Sequence, residues 1–94
     1  MTDDDALRHR IRDDLRSADP RRIGAALSQV DAAARTGSPI ASTLVLDADA
    51  ALASAEWRAW AEREPDAAAG ARADADAVIT DAWRTIARWT CGAG

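Results

Sequence analysis

The only cysteine of the chain, Cys91, lies in the C-terminal segment RWTCGAG. A cysteine becomes a nucleophile or a metal ligand when its thiolate is stabilised, for example by a helix N-terminus or nearby cations. Helical periodicity continues up to this segment, and Gly92 is of the type that follows the last turn of a helix. The thiol is therefore expected at a helix C-terminus, where the negative end of the dipole disfavours a thiolate. The segment predicts a helix end followed by a short loose tail over residues 91–94.

The single histidine, His9, has a carboxylate four residues away on either side, Asp5 and Asp13. This spacing places all three side chains on one helix face, where they could hold a metal ion. Durable zinc sites usually take a fourth ligand and softer donors, and the arginines that flank His9 repel a cation. The pattern therefore predicts a solvated helix face and no metal site.

The remaining motifs do not favour catalysis. The Asp47–Asp49 and Asp74–Asp76 pairs lack the glycine and the distal glutamate of a calcium-binding loop. The sequence has no glycine-rich phosphate loop, no nucleophile elbow, and no pair of glutamate or histidine residues at catalytic spacing. We therefore predict no catalytic residue and no cofactor, and a small helical enzyme is kept only as an alternative.

Tryptophans beside arginines are the other candidates, because these two residue types are enriched where proteins bind each other. Helical spacing places three of the four tryptophans at the edges of apolar stripes, where we expect half-buried packing and a partner-binding surface. The candidate partner-binding residues are Trp57, Arg58, Trp60, Arg88 and Trp89.

The fourth tryptophan, Trp83, falls on the apolar stripe of the last helix with Ile79, Ala82 and Ile86. Trp89 projects about 60° from the centre of that stripe. We therefore predict that Trp83 is a core residue whose replacement by alanine costs about 3 to 5 kcal/mol. Replacement of Trp89 is expected to weaken association by more than about 1 kcal/mol while costing little fold stability.

The composition limits the kinds of function. The 94 residues suit one domain, residues 1–94, and more than half of the 48% hydrophobic residues are alanine. A net charge of −4 and a pI of about 4.8 disfavour nucleic-acid binding. The sequence has neither a membrane-spanning run nor a secretory signal, which predicts a cytoplasmic protein with no membrane contact. Arginine without lysine, together with the many alanines, is typical of a GC-rich bacterial genome.

Capping residues predict where the first two helices begin and end. Thr2 is expected to cap a first helix whose apolar stripe runs from Leu7 to Ala18, with most of its charges paired within the helix at i,i+4 spacing. Asp19 with Pro20 predicts the start of a second helix, and Gly37 predicts its end. The very short connections make neighbouring helices antiparallel.

The second half of the chain is less regular. Ser38 with Pro39 predicts the start of a third helix, which we favour as helix throughout up to Glu64. A break near Ser54, where the phase of the apolar stripe shifts, is left open. The alternative is a brief extended TLVL segment, residues 43–46, before a later helix start. Asp66 is expected to cap the last helix, which could fray before Asp74.

These patterns predict an all-α, up-and-down bundle of four helices, or five if the third segment breaks. For function we favour a non-catalytic protein-binding module, such as an adaptor, an immunity-like or antitoxin-like partner, or a regulator. The alanine-rich core also favours a second copy or a protein partner that would bury more apolar surface. The alternative from another class is a helical leader of a peptide-modification precursor, with the C-terminal WTCGAG as the modified segment.

Overall fold

The computed structural model describes residues 3–92, with side chains up to residue 89. Five α-helices and no strand make up this part of the chain, which confirms the predicted all-α bundle and its fifth helix. The helices are α1 (Asp3–Leu15), α2 (Pro20–Arg35), α3 (Ala41–Leu52), α4 (Ala55–Arg63) and α5 (Pro65–Gly92). Within the described residues, none of these helices has the combination of length and apolar character needed to cross a membrane.

The long helix α5 organises the bundle by packing against α2, α3 and α4, while α1 packs against α2 and α3. One continuous core results. Its largest fully buried side chains are Trp60, Ile11, Leu15, Ile23, Leu44, Val30 and Val45. Among the described side chains of α5, those buried in the core are alanines, namely Ala68, Ala71, Ala75 and Ala82. Small side chains let neighbouring backbones approach closely, so this alanine face brings α5 near to the helices it covers.

The predicted start and end of α2 are confirmed. The Asp19 carboxylate accepts a hydrogen bond from the Arg21 backbone N–H at 3.0 Å, and Pro20 occupies the first helical position. At the other end, the Ser38 N–H donates to the Ala33 carbonyl at 2.9 Å around Gly37, whose φ is +71°. This is a Schellman turn, in which the left-handed residue is most often glycine.

The end of α1 differs from the sequence prediction. The helix stops at Leu15, and Ala18, which the periodicity predicted on its apolar stripe, lies in the turn to α2 with φ of +59°. The Ser17 hydroxyl donates to the Asp14 carbonyl at 2.7 Å and helps to end the helix. The predicted cap of α1, Thr2, lies outside the described residues.

Two predicted helix starts are shifted. Helix α3 begins at Ala41, two residues after Pro39, although the Ser38 hydroxyl still accepts a hydrogen bond from the Ile40 N–H at 3.4 Å. Helix α5 begins at Pro65, so Asp66 lies in its first turn and does not cap it. The possible fraying before Asp74 is not seen, because successive turns of this half place Ala68, Ala71 and Ala75 in the core.

Ser54 separates α3 from α4, as the phase shift in the sequence predicted. Its hydroxyl donates to the Ala51 carbonyl at 2.6 Å and accepts from the Trp57 N–H at 3.2 Å. One side chain therefore satisfies a carbonyl at the end of α3 and an amide at the start of α4. The extended alternative for residues 43–46 is wrong, since these residues are helical.

Some charged side chains form ion pairs between helices, where the sequence predicted pairs within one helix. The guanidinium of Arg8 contacts the Asp47 carboxylate with Nε–Oδ2 and Nη2–Oδ1 distances of 2.7 and 3.1 Å, which links α1 to α3. Arg22 of α2 contacts Asp14 of α1 at 2.8 Å. The expectation that α1 pairs most of its charges within the helix is therefore wrong for Arg8 and Asp14, because the neighbouring helices offer partners.

Candidate functional site: the groove between α2 and α5

Two of the predicted partner-binding residues, Trp57 and Trp60, are core residues. Their exposed fractions are 4% and 0%, and their rings meet edge to face with centroids 5.3 Å apart. The sequence prediction of half-buried edge positions is wrong because α4 is a separate short helix that buries both rings. When the helix restarts after Ser54, an i,i+3 spacing places both tryptophans on the inner face of α4.

The tryptophans of α5 are also placed differently from the prediction. The stripe that the buried alanines define, Ala68 to Ala82, is centred about 90° from Trp83 and about 30° from Trp89. Trp83 is 39% exposed, so its predicted core position is wrong. The sequence prediction placed the packed stripe of α5 on the large side chains Ile79, Trp83 and Ile86. The stripe that faces the bundle is rotated away from that predicted stripe.

Trp89 is 55% exposed, in agreement with the prediction of a partly buried side chain, and it covers the end of α2. Its indole Nε1 donates to the Ala34 carbonyl at 3.1 Å, and its ring lies against Gly37. The carbonyl of Ala34 is one of those left without an i+4 donor at the helix end. The structure therefore gives Trp89 a role within the fold.

The predicted partner surface does not form as one patch. Arg58 is exposed on α4 and Arg88 is exposed near the end of α5, but Trp57 and Trp60 between them are buried. Whether Arg58, Arg88 or Trp89 contacts a partner stays a prediction. The side chain of Cys91 lies outside the described residues, and so does the end of the predicted tail, although the backbone of residues 91 and 92 belongs to α5.

Among the described residues, an open groove of about 480 Å³ lies between α2 and α5. Its lining is mostly apolar or small: Pro20, Ile23, Gly24 and Leu27 on α2, and Ala67, Ala71, Ala77 and Val78 on α5. Helical spacing of three and four residues repeats these positions along both helices, so the groove follows the helices for about four turns. We call this surface the α2–α5 groove.

The rim of the α2–α5 groove is acidic. Three carboxylates line it, those of Asp31, Asp74 and Asp81, against one guanidinium, that of Arg35. Arg35 contacts Asp31 with an Nε–Oδ2 distance of 2.9 Å. In the described part of the chain no ion pair involves Asp74 or Asp81, so the α5 rim keeps its negative charge.

Gly24 forms part of the groove wall in the interior of α2. A glycine inside a helix is about 0.5 to 1 kcal/mol less favourable than alanine. A Cβ atom built on Gly24 would meet no other atom within 4 Å, so the fold itself does not require glycine here. Gly70 of α5 is equally open, and its spacing of four and seven residues from Asp74 and Ala77 places it on the same face of α5, outside the groove lining. Both glycines leave room for the close approach of another backbone.

A second, smaller hollow lies on α1, with Asp5, Arg8, His9 and Arg12 as its lining. The hydrogen bond and charge of Asp47 raise the pKa of the Arg8 guanidinium, so this cation is fixed beside His9. Among the described residues no group of three or more histidine, cysteine, aspartate or glutamate side chains is arranged to hold a metal ion. This hollow lacks the ligand set of a metal site.

Comparisons of the chain with protein-family models, with curated proteins and with solved structures found no match. The α2–α5 groove is therefore interpreted from its own residues. Two signals in the sequence mark its residues without showing that they share a surface: the helix-interior Gly24, and the i,i+7 pair Asp74 and Asp81 on the side of α5 that also carries Ala67 and Ala77.

Proposed function

We propose that this chain is a non-catalytic protein-binding module that holds its partner in the α2–α5 groove. The observation that carries the proposal is a groove whose exposed lining is small and apolar, with an acidic rim and an open Gly24 that the packing of the fold does not require. Grooves between two helices are a recurrent binding site for segments of other proteins.

The residues of the groove support binding more than catalysis. The only hydroxyl in its lining is that of Ser28, and within the described residues no hydrogen bond joins it to any of the three carboxylates of the lining. General acid–base or nucleophilic catalysis needs such a partner within hydrogen-bond reach. The proposal therefore assigns the groove no reaction and no cofactor.

The proposal includes the setting that the sequence predicts, the cytoplasm of a bacterium, with a protein partner or a second copy as the ligand. The net charge of −4 and the acidic rim support a protein ligand over a nucleic acid, since phosphates would be repelled.

Site-specific photo-crosslinking tests the proposal. A benzoylphenylalanine residue at position 24 points into the groove, whereas the same residue at the exposed position 25 of α2 lies outside its lining. In cells of the source organism we expect a discrete protein adduct from position 24 and none from position 25. The proposal fails if neither position gives an adduct or if both give the same ones.

A further inference from the structure

We propose that the occupant of the α2–α5 groove is an amphipathic helix of another protein, with arginine or lysine residues flanking its apolar face. This inference rests on the proposed function and names the chemistry of the partner. Three observations support it: the shape of the groove, the charge of its rim, and the poor fit of a second copy of this chain as the occupant.

The shape of the groove fits a helix. Lining positions on α5 extend from Ala67 to Asp81, which corresponds to about 21 Å along the helix axis. A partner helix of about 15 residues covers this length. Gly24, Ala67 and Ala71 have small side chains or none, so they leave the groove open to another helix. Two helix axes approach to about 8 to 10 Å only where the facing side chains allow it.

The charge of the groove selects a basic helix. An apolar stripe would lie on the exposed lining at Gly24 and Ala77 and on the half-buried Val78, while residues on either side of the stripe would meet the rims. The α5 rim offers the carboxylates of Asp74 and Asp81, which have no ion-pair partner in the described residues. Arginine or lysine at the matching positions would complete these pairs, and acidic residues would be repelled.

A second copy of this chain fits the groove less well. The apolar faces of its helices are already packed in its own core, and the exposed large apolar side chains of the described residues are only Leu46, Trp83 and Trp89. Each copy also carries a net charge of −4 and the same acidic rim. Both features favour a partner of opposite charge over self-association through this groove.

Binding of designed helical peptides tests the inference. Three peptides of about 15 residues, held helical by a side-chain cross-link, share a leucine and alanine face and differ only in flanking arginine, glutamine or glutamate. Fluorescence anisotropy is measured for each peptide with the full chain. We expect the arginine peptide to bind at least about 10-fold more tightly than the glutamate peptide at low salt, and the difference to shrink as salt screens the rim.

Matched variants test whether the peptides bind in the α2–α5 groove. Gly24→Met fills the groove from its wall, and Ala77→Met fills it from the opposite helix, whereas Ala25→Met adds the same side chain outside the lining. We expect each groove variant to lower the affinity for the arginine peptide about 10-fold or more and Ala25→Met to leave it unchanged. Thermal melts verify that the variants are folded. Replacing both Asp74 and Asp81 by asparagine should remove most of the preference for the arginine peptide over the glutamate peptide.

The outcomes separate the inference from the proposed function. If the three peptides bind equally and the groove variants abolish binding, the basic partner is wrong while the protein-binding groove stands. If no peptide binds, or if Ala25→Met weakens binding as much as Gly24→Met, both the partner chemistry and the groove as a binding site are wrong.

Discussion

The tryptophans of α4 and those of α5 have opposite positions in the bundle. Trp57 and Trp60 are almost completely buried and contact each other, whereas Trp83 and Trp89 remain 39% and 55% exposed. The short α4 has nine residues and contributes to the core mainly through its two indole rings. The long α5 has 28 residues and contributes alanines along its length.

This difference shows two ways of filling one core. A short helix has few inward positions, so large side chains must supply its buried surface. A long helix that lies across three others has many inward positions, and small residues there allow close approach along its whole length. The large residues of α5 are then displaced to the edges of its buried face. The comparison predicts that the two tryptophan pairs contribute very different free energies of unfolding.

The largest effect is expected for Trp60→Ala. Trp60 is completely buried, its ring packs against Trp57, and its Nε1 donates to the Glu64 carboxylate at 3.2 Å. Truncation leaves a cavity in the centre of the bundle and should lower the free energy of unfolding by about 3 to 5 kcal/mol. Urea denaturation measures this loss, provided that the m-value is unchanged. Trp60→Phe is the control, and it should cost less because most of the cavity stays filled. A loss for Trp60→Ala of less than about 1 kcal/mol would contradict the core position of α4.

An intermediate effect is expected for Trp89→Ala. The variant loses the part of the indole that is buried on α2 and the hydrogen bond to the Ala34 carbonyl, about 2 kcal/mol together. The carbonyl keeps the Gly37 N–H as a donor at 3.3 Å, so it is not left unsatisfied. Trp89→Phe retains the ring and should recover about half of the loss. Urea denaturation of both variants separates packing from hydrogen bonding.

A double-mutant cycle with Gly37→Ala sharpens the same prediction. A Cβ atom at position 37 would lie 3.3 Å from Cε2 of Trp89, and alanine at φ of +71° is also strained. Placing alanine in the left-handed backbone conformation costs about 1 kcal/mol in either background. The close contact between the new Cβ atom and the indole ring costs energy only when Trp89 is present. Gly37→Ala should therefore be less destabilising in the Trp89→Ala background. Equal costs in both backgrounds would mean that the ring of Trp89 is not held on Gly37.

Local chemistry made much of the fold predictable. Asp19 with Pro20, Gly37 and the phase shift at Ser54 each act within a few residues, so their effects can be inferred without the partner helices. The same logic failed at Ser38 and Asp66. The Ala41 N–H donates to the Ser38 carbonyl, and the Ala68 N–H donates to the Glu64 carbonyl. Backbone carbonyls therefore accept the first hydrogen bonds at both places, and the side-chain cap does not mark the first helical residue.

The position of the groove was not predictable in the same way. Hydrophobic periodicity gives most weight to large residues, and on α5 these are Ile79, Trp83 and Ile86. The face that packs is instead the alanine face, whose selection depends on how closely α2, α3 and α4 approach. The groove forms only when α2 and α5 pack against each other through this face. The sequence alone therefore could not assign the acidic rim and the open Gly24 to a common surface.

The smallest effect in the comparison is expected for Trp83→Ala, the variant for which the sequence predicted one of the largest. Trp83 lies about 90° from the centre of the alanine face, and its truncation opens to water without leaving a cavity. Within the described residues its indole Nε1 has no hydrogen-bond partner, so no buried group is left unsatisfied. We expect a loss of about 1 kcal/mol in urea denaturation, well below that of Trp60→Ala. Indole fluorescence provides a second readout, because the Trp83→Ala variant should lose emission from a solvent-exposed ring and the Trp60→Ala variant emission from a buried one. If Trp83→Ala unfolds the domain, the packed face of α5 is the one defined by its large residues, and the alanine face is not the core.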